Sequence, residues 1–129
     1  MKTLAIRQPW VSLIAEGDKT IEVRTWPTAH RGPLLLVASG RPLNVPMDDA
    51  DSTIYALATG MQVCIVDLLD VRPLRSDDLV AACMDDVRPP FDVAGHFAWV
   101  LARPRDVAPT PHKGRLRLYD TPDASIRQA

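Results

Sequence analysis

Twelve of the 129 residues are proline, about 9% against a usual share of about 5%, and they fall between apolar runs rather than inside them. Proline lacks a backbone donor and clashes with the preceding helical turn, so each one closes a helix or confines a strand to an edge or a bulge. The spacing excludes long helices almost everywhere and predicts short elements joined by turns. Residues 3–7 read as a strand. Pro9 suits the first turn of a helix over 10–16, in which Trp10, Leu13 and Ile14 lie at helical spacing and Gly17 is the C-terminal cap. Residues 20–25, with β-branched Thr20, Ile21, Val23 and Thr25, read as a strand. The apolar run 34–38 predicts a central strand covered on both faces.

Further along, Asp48, Asp49 and Asp51 sit where the positive end of a helix over 48–58 would lie. A strand is expected over 63–71, then a helix over 76–84 opened by Ser76 with Asp77 and Asp78 in its first turn. Residues 97–102 predict a strand ended by Pro104, with Trp99 as a core residue, and 116–119 a last strand. Residues 121–129 lack apolar periodicity and are expected to be a loose C-terminal tail behind a single domain over 1–120. Short strands with helices in the connections predict a mainly β architecture with peripheral helices. A mixed β-barrel fits that order better than a doubly wound parallel sheet.

A chain of this length buries roughly two-thirds of its unfolded surface without a disulfide or metal staple. No run of about 18 apolar residues predicts a membrane span, and Arg7 arrives too early for a signal-peptide core. Cys64 and Cys83 share no CxxC spacing and are expected as reduced thiols in a cytoplasmic protein. His30, His96 and His112 lie far apart without paired-ligand spacing, so neither a metal nor another cofactor is expected.

The net charge is −1, but it is unevenly spread. Residues 1–41 carry six basic and three acidic groups, 42–100 carry three and ten, and 101–129 again carry six and three. Fields act over about one Debye length, roughly 8–10 Å, so basic ends that meet in space count for more than the near-zero total.

The most unusual cluster is Arg7-Gln8-Pro9-Trp10 followed by Gly17-Asp18-Lys19-Thr20-Ile21-Glu22-Val23-Arg24-Thr25-Trp26. On a strand, Glu22 and Arg24 point to one face, with Lys19 in the turn before it. These residue types suit a planar nitrogenous ligand. Glu22 can accept from an exocyclic amine, and Gln8 offers a donor and an acceptor to a base edge. Trp10 and Trp26 offer stacking faces, while Lys19, Arg24 and Arg31 suit phosphate. The same residues also fit a structural ion pair beside two core indoles. A catalytic use is open as well: a lysine beside a carboxylate in a closed pocket moves protons once its pKa falls, with Ser12, Thr20, Thr25, Thr28 and Ser39 as candidate nucleophiles.

Leu4-Ala5-Ile6-Arg7-Gln8-Pro9-Trp10, the Gly17-x-Lys19-x-x-Glu22-x-Arg24 pattern and Arg31-Gly32-Pro33 resemble the ASCH domain family of the PUA-like superfamily. Phe97-Ala98-Trp99-Val100-Leu101, Pro104-Arg105 and Lys113-Gly114 resemble its closing part, so the likeness covers about residues 2–119. The resemblance implies a PUA-like mixed β-barrel with rim helices and a cleft where Lys19, Glu22 and Arg24 gather near Trp10. It implies binding of RNA or of a nucleotide or nucleoside. Some relatives are amidohydrolases acting on N4-acetylcytidine and others are described as ribonucleases. In the amidohydrolase branch the lysine is kept, a threonine stands where this chain has Glu22, and a downstream glutamate is used; no glutamate follows Glu22 here.

Three functions are therefore weighed. The first is an RNA- or nucleotide-binding module. The second is a small hydrolase of an acylated nucleoside or of RNA, with Lys19 and Glu22 in acid–base roles. The third is a protein-interaction adaptor using the acidic middle segment.

Overall fold

Strand β1 (Lys2–Ile6) opens the chain, followed by helix α1 (Trp10–Ala15), β2 (Ile21–Arg24) and β3 (Gly32–Ala38). Strands β4 (Met61–Pro73), β5 (Phe97–Asp106) and β6 (Leu118–Asp120) follow, with 3-10 turns at Ser76–Asp78 and Asp123–Ser125. The computed structural model describes residues 1–40 and 59–129; the helix expected over 48–58 lies outside them.

The six strands form one sheet in the order β2-β5-β4-β3-β1-β6. β1 runs parallel to β3, with Leu4 opposite Leu36, and every other pair is antiparallel. The sheet curls into a half barrel, so the mainly β fold with peripheral helical turns stands as expected. β3 is central, and Leu34 to Ala38 are all fully buried because both its faces are covered. Leu4, Ile6, Val66, Leu68 and Trp99 share one core with α1. The Trp99 indole N–H donates to the Trp26 carbonyl at 3.2 Å, and the two rings meet edge to face at 4.9 Å. Both cysteines are free, and burial pushes the Cys64 thiol up to about 12.

Five segments differ from the sequence expectation. Helix α1 is only six residues long and fully buries Val11 and Ile14, whereas Trp10 and Leu13 are partly buried, with Trp10 packed against the core. β5 runs on through Pro104 to Asp106. The β4–β5 register slips between Ile65 and Asp67, and Arg103 has φ 52°; proline is tolerated at such a bulge because the ladder there needs no N–H. The segment 76–84 makes one 3-10 turn and further hydrogen-bonded turns instead of a helix. Asp78 is drawn into an ion pair with Arg72, at 2.8 Å, and accepts from the Arg75 N–H, while Cys83 enters the left-handed region at φ 59°. The last strand begins at Leu118, leaving Leu116 outside it. Residues 121–129, read from the sequence as a loose tail, hold a 3-10 turn, and Arg127 accepts from the Ala108 N–H at 2.8 Å.

Candidate functional site

The helix end sets the position of the key lysine. Gly17 has φ 88°, a conformation glycine adopts without a Cβ penalty, and its N–H donates to the Ile14 carbonyl. The Asp18 N–H donates to the Leu13 carbonyl, completing a Schellman turn. That turn delivers Lys19 to the start of β2. The Lys19 ammonium donates to the Ala82 carbonyl at 2.6 Å and lies 3.7 Å from a Glu22 carboxylate oxygen. It also lies 5.2 Å from the centre of the Trp10 ring. The side chains are 2% and 9% exposed for Lys19 and Glu22. Burial lowers the Lys19 pKa, and the neighbouring Glu22 carboxylate opposes that fall.

Glu22 and Arg24 share a strand face, as the two-residue period requires. Arg24 donates through Nε and Nη2 to Glu22 Oε2, at 3.2 and 2.9 Å, and through Nη2 to the Ala5 carbonyl at 3.0 Å. Glu22 is thus held between two cations, one on each carboxylate oxygen. Arg24 in turn ties β2 to β1 across the mouth of the half barrel.

These groups line a cleft of about 1270 Å³ with Trp10 and Trp26 in its wall. The far end of the chain also contributes to its lining, at His112, Lys113, Arg115 and Arg117. The reason is topological: β1 lies between β3 and β6, so the first and last segments are neighbours. Among the described residues, six cations line the cleft (Arg7, Lys19, Arg24, Lys113, Arg115 and Arg117) against the single carboxylate of Glu22. Arg7, Lys113, Arg115 and Arg117 have no carboxylate partner among the described residues. Elsewhere Asp67 pairs with Arg103 and Arg105, Asp78 with Arg72 and Asp120 with Lys2.

Of the candidate nucleophiles, Thr25 and Ser39 line the cleft and Ser12, Thr20 and Thr28 do not, and two of the ligand-binding residues singled out from the sequence do not line it either. Gln8 is fully buried, and its Oε1 accepts from the Ser12 N–H at 3.2 Å, capping a donor at the start of α1. Arg31 sits at an exposed turn, donating to the Thr28 and His30 carbonyls at 2.8 Å and lying 3.6 Å from Asp70. Trp10, Lys19, Glu22, Arg24 and Trp26 do come together there.

Sequence reasoning assigned no role to Phe91 or His96, whose rings meet edge to face at 4.8 Å on the cleft wall. No periodic signal marks the turns that carry them. His112 also lines the cleft. It accepts at Nδ1 from the Gln62 amide at 3.3 Å, so its proton sits on Nε2, 2.9 Å from Tyr119 Oη. Burial, then the Arg115 charge, lowers the His112 pKa. The alternating basic residues at 113, 115 and 117 were a usable signal for this wall.

A curled mixed sheet whose two chain ends meet around a basic cleft defines a small β half-barrel module. The ASCH domain model matches residues 4–111, and the chain belongs to that family, a PUA-like fold family proposed for RNA binding. It is 29% identical over 136 aligned residues to activating signal cointegrator 1 of Mus musculus, and 27% identical to that of Homo sapiens. In both cases 97% of this chain is covered but 23% of the relative, so the chain spans about a quarter of the length of those proteins. Among solved structures, ASCH from Zymomonas mobilis superposes with a TM-score of 0.67 at 13% identity, covering 98% of this chain and 96% of that one. A mutant form of the ASCH protein from that organism gives 0.54 at 13% identity, over 85% and 74% of the chains. No helix among the described residues is long and apolar enough to cross a membrane.

Proposed function

We propose that this chain is an RNA- or nucleotide-binding module whose ligand cleft is organised by Lys19, Glu22 and Arg24. The observation that carries the reading is the set of four cations at the cleft without carboxylate partners among the described residues, in a chain of net charge −1. Such a field draws a polyanion. Glu22, ionised between Lys19 and Arg24, accepts from an exocyclic amine or ring N–H of a base. Trp10 and Trp26 offer flat faces to the same base.

The test is the salt dependence of affinity for short RNAs. Three or four phosphates neutralised on a single strand give a slope of about −2 to −3 in log affinity against log salt. Removing one rim cation, as in Arg115→Gln, lowers that slope by about 0.7. A flat salt dependence refutes the reading.

Hydrolysis of an acylated nucleoside or of RNA is a second reading, favoured by one observation. Lys19 is buried beside a carboxylate, and its pKa is lowered by that burial, the direction that makes a lysine a readier proton donor and acceptor. In that case Lys19→Met abolishes product formation from N4-acetylcytidine or a short RNA while the far-ultraviolet circular dichroism is kept. Product formed at the wild-type rate removes this reading.

A further inference from the structure

Leu116 stands at the lip of the cleft with 92% of its surface exposed, between Arg115 and Arg117. A single exposed leucine on a protein surface carries no message. This one is set in a segment fixed on both sides. Gly114 packs so closely on β1 that a Cβ there would lie 2.8 Å from the Ala5 Cβ. The Arg115 guanidinium lies 5.9 Å from the centre of the Tyr119 ring, and that of Arg117 lies 5.1 Å from the centre of the Trp26 ring. Arg117 has φ 58°, a left-handed conformation that a non-glycine residue keeps only where its surroundings impose it. The result is an apolar prong held between cations whose charges no carboxylate offsets among the described residues.

We propose that residues 113–117 form a wedge for a single polynucleotide strand: one base enters the cleft, Leu116 inserts against the next base, and Lys113, Arg115 and Arg117 take the phosphates around it. The proposal rests on the nucleotide-binding reading of the cleft and adds that the ligand is a strand rather than a free nucleotide. Charge complementarity selects a polyanion. The apolar tip selects one whose repeating unit has an apolar face, since inserted leucines separate stacked bases. An acidic peptide would satisfy the cations and leave the leucine in water.

The probes are cytidine 5′-monophosphate and a nine-nucleotide cytidine RNA with one central 2-aminopurine, titrated into the full chain and into Leu116→Ser. The RNA binds the wild type at least about tenfold more tightly than the mononucleotide, because contacts extend past one residue. Its 2-aminopurine fluorescence rises on binding as neighbouring bases unstack. Leu116→Ser loses about 5- to 10-fold in RNA affinity and keeps the mononucleotide affinity. Equal binding of both probes by wild type and variant, or an unchanged fluorescence, overturns the wedge while leaving nucleotide binding intact. Displacement of the RNA by polyglutamate at the same charge concentration overturns it too, since the rim would then read charge alone. Binding of neither probe overturns the nucleotide reading itself and the wedge with it.

Discussion

Replacing Glu22 by glutamine keeps the shape of the side chain and removes its charge. Two cations then face each other without the anion between them: Lys19 at 3.7 Å and Arg24 at 2.9 Å from the lost carboxylate. At an effective dielectric of about 20, attractions over 3.7 and 2.9 Å are worth about 4.5 and about 5.7 kcal/mol gross. Desolvation offsets much of it, and the Lys19 ammonium keeps its hydrogen bond to the Ala82 carbonyl. The net loss of stability for Glu22→Gln is about 2–3 kcal/mol at neutral pH.

This loss has a distinctive pH dependence. Burial already lowers the Lys19 pKa in the wild type, and Glu22 is the largest influence holding it up. Without that carboxylate the folded-state pKa falls further. Below the mutant's value, both folded proteins hold a charged Lys19 and the full penalty is present. As pH rises from the mutant's value to the wild type's, still below the ordinary lysine value near 10.4, folded Lys19 sheds its proton in the mutant first and the deficit narrows. Urea denaturation followed by tryptophan fluorescence, at pH 6, 8 and 9.5, measures it. The double variant with Lys19→Met shows a coupling of about 1–3 kcal/mol in the same assay. A deficit independent of pH, or no coupling, refutes the buried-pair account and with it the claim that Glu22 is ionised in the cleft.

Two further outcomes follow from single contacts. The Arg72 hydrogen bonds hold the Asp78 carboxyl down at about 2, so its contribution is present above the ordinary value near 3.9 and lost as pH falls toward 2. Asp78→Asn therefore costs about 1–3 kcal/mol at pH 7 and nothing further at pH 2, read from denaturation midpoints. Gly114→Ala brings a methyl to within 2.8 Å of the Ala5 Cβ, so the rim shifts off β1. Stability drops by about 1–2 kcal/mol in thermal denaturation, and RNA affinity drops with it; an unchanged midpoint shows that the rim is not seated as described.

Some of this was legible residue by residue. The run Leu34 to Ala38 and the mid-strand Trp99 declare buried positions through local composition, and both are buried. Glu22 and Arg24 declare a shared face through the two-residue strand period, and they are bonded to each other. The glycine at 17 declares the end of α1, since a short amphipathic run followed by glycine has few other conformations. Gln8 and Arg31 show where such reasoning stops. Their side chains have the right chemistry for a base and a phosphate, but one accepts from the Ser12 N–H of α1 and the other lies at a turn against Asp70. Nothing in their neighbours along the chain distinguishes those fates.

The sequence alone thus determined the mainly β architecture, the family and the local grouping of Lys19, Glu22 and Arg24. All of these depend on interactions between residues close in the chain or on recurrent patterns of residue types. Only the tertiary structure decided that the basic ends share one cleft. That depends on β1 lying between β3 and β6, a pairing of segments more than a hundred residues apart in the case of Lys2 and Asp120. Only it decided which cations keep their charge unmatched, because an ion pair such as Asp67 with Arg103 joins strands that no local pattern links. The near-zero net charge was real, but the folded sheet separates it: among the described residues, Glu22 is the one carboxylate lining a cleft with six cations.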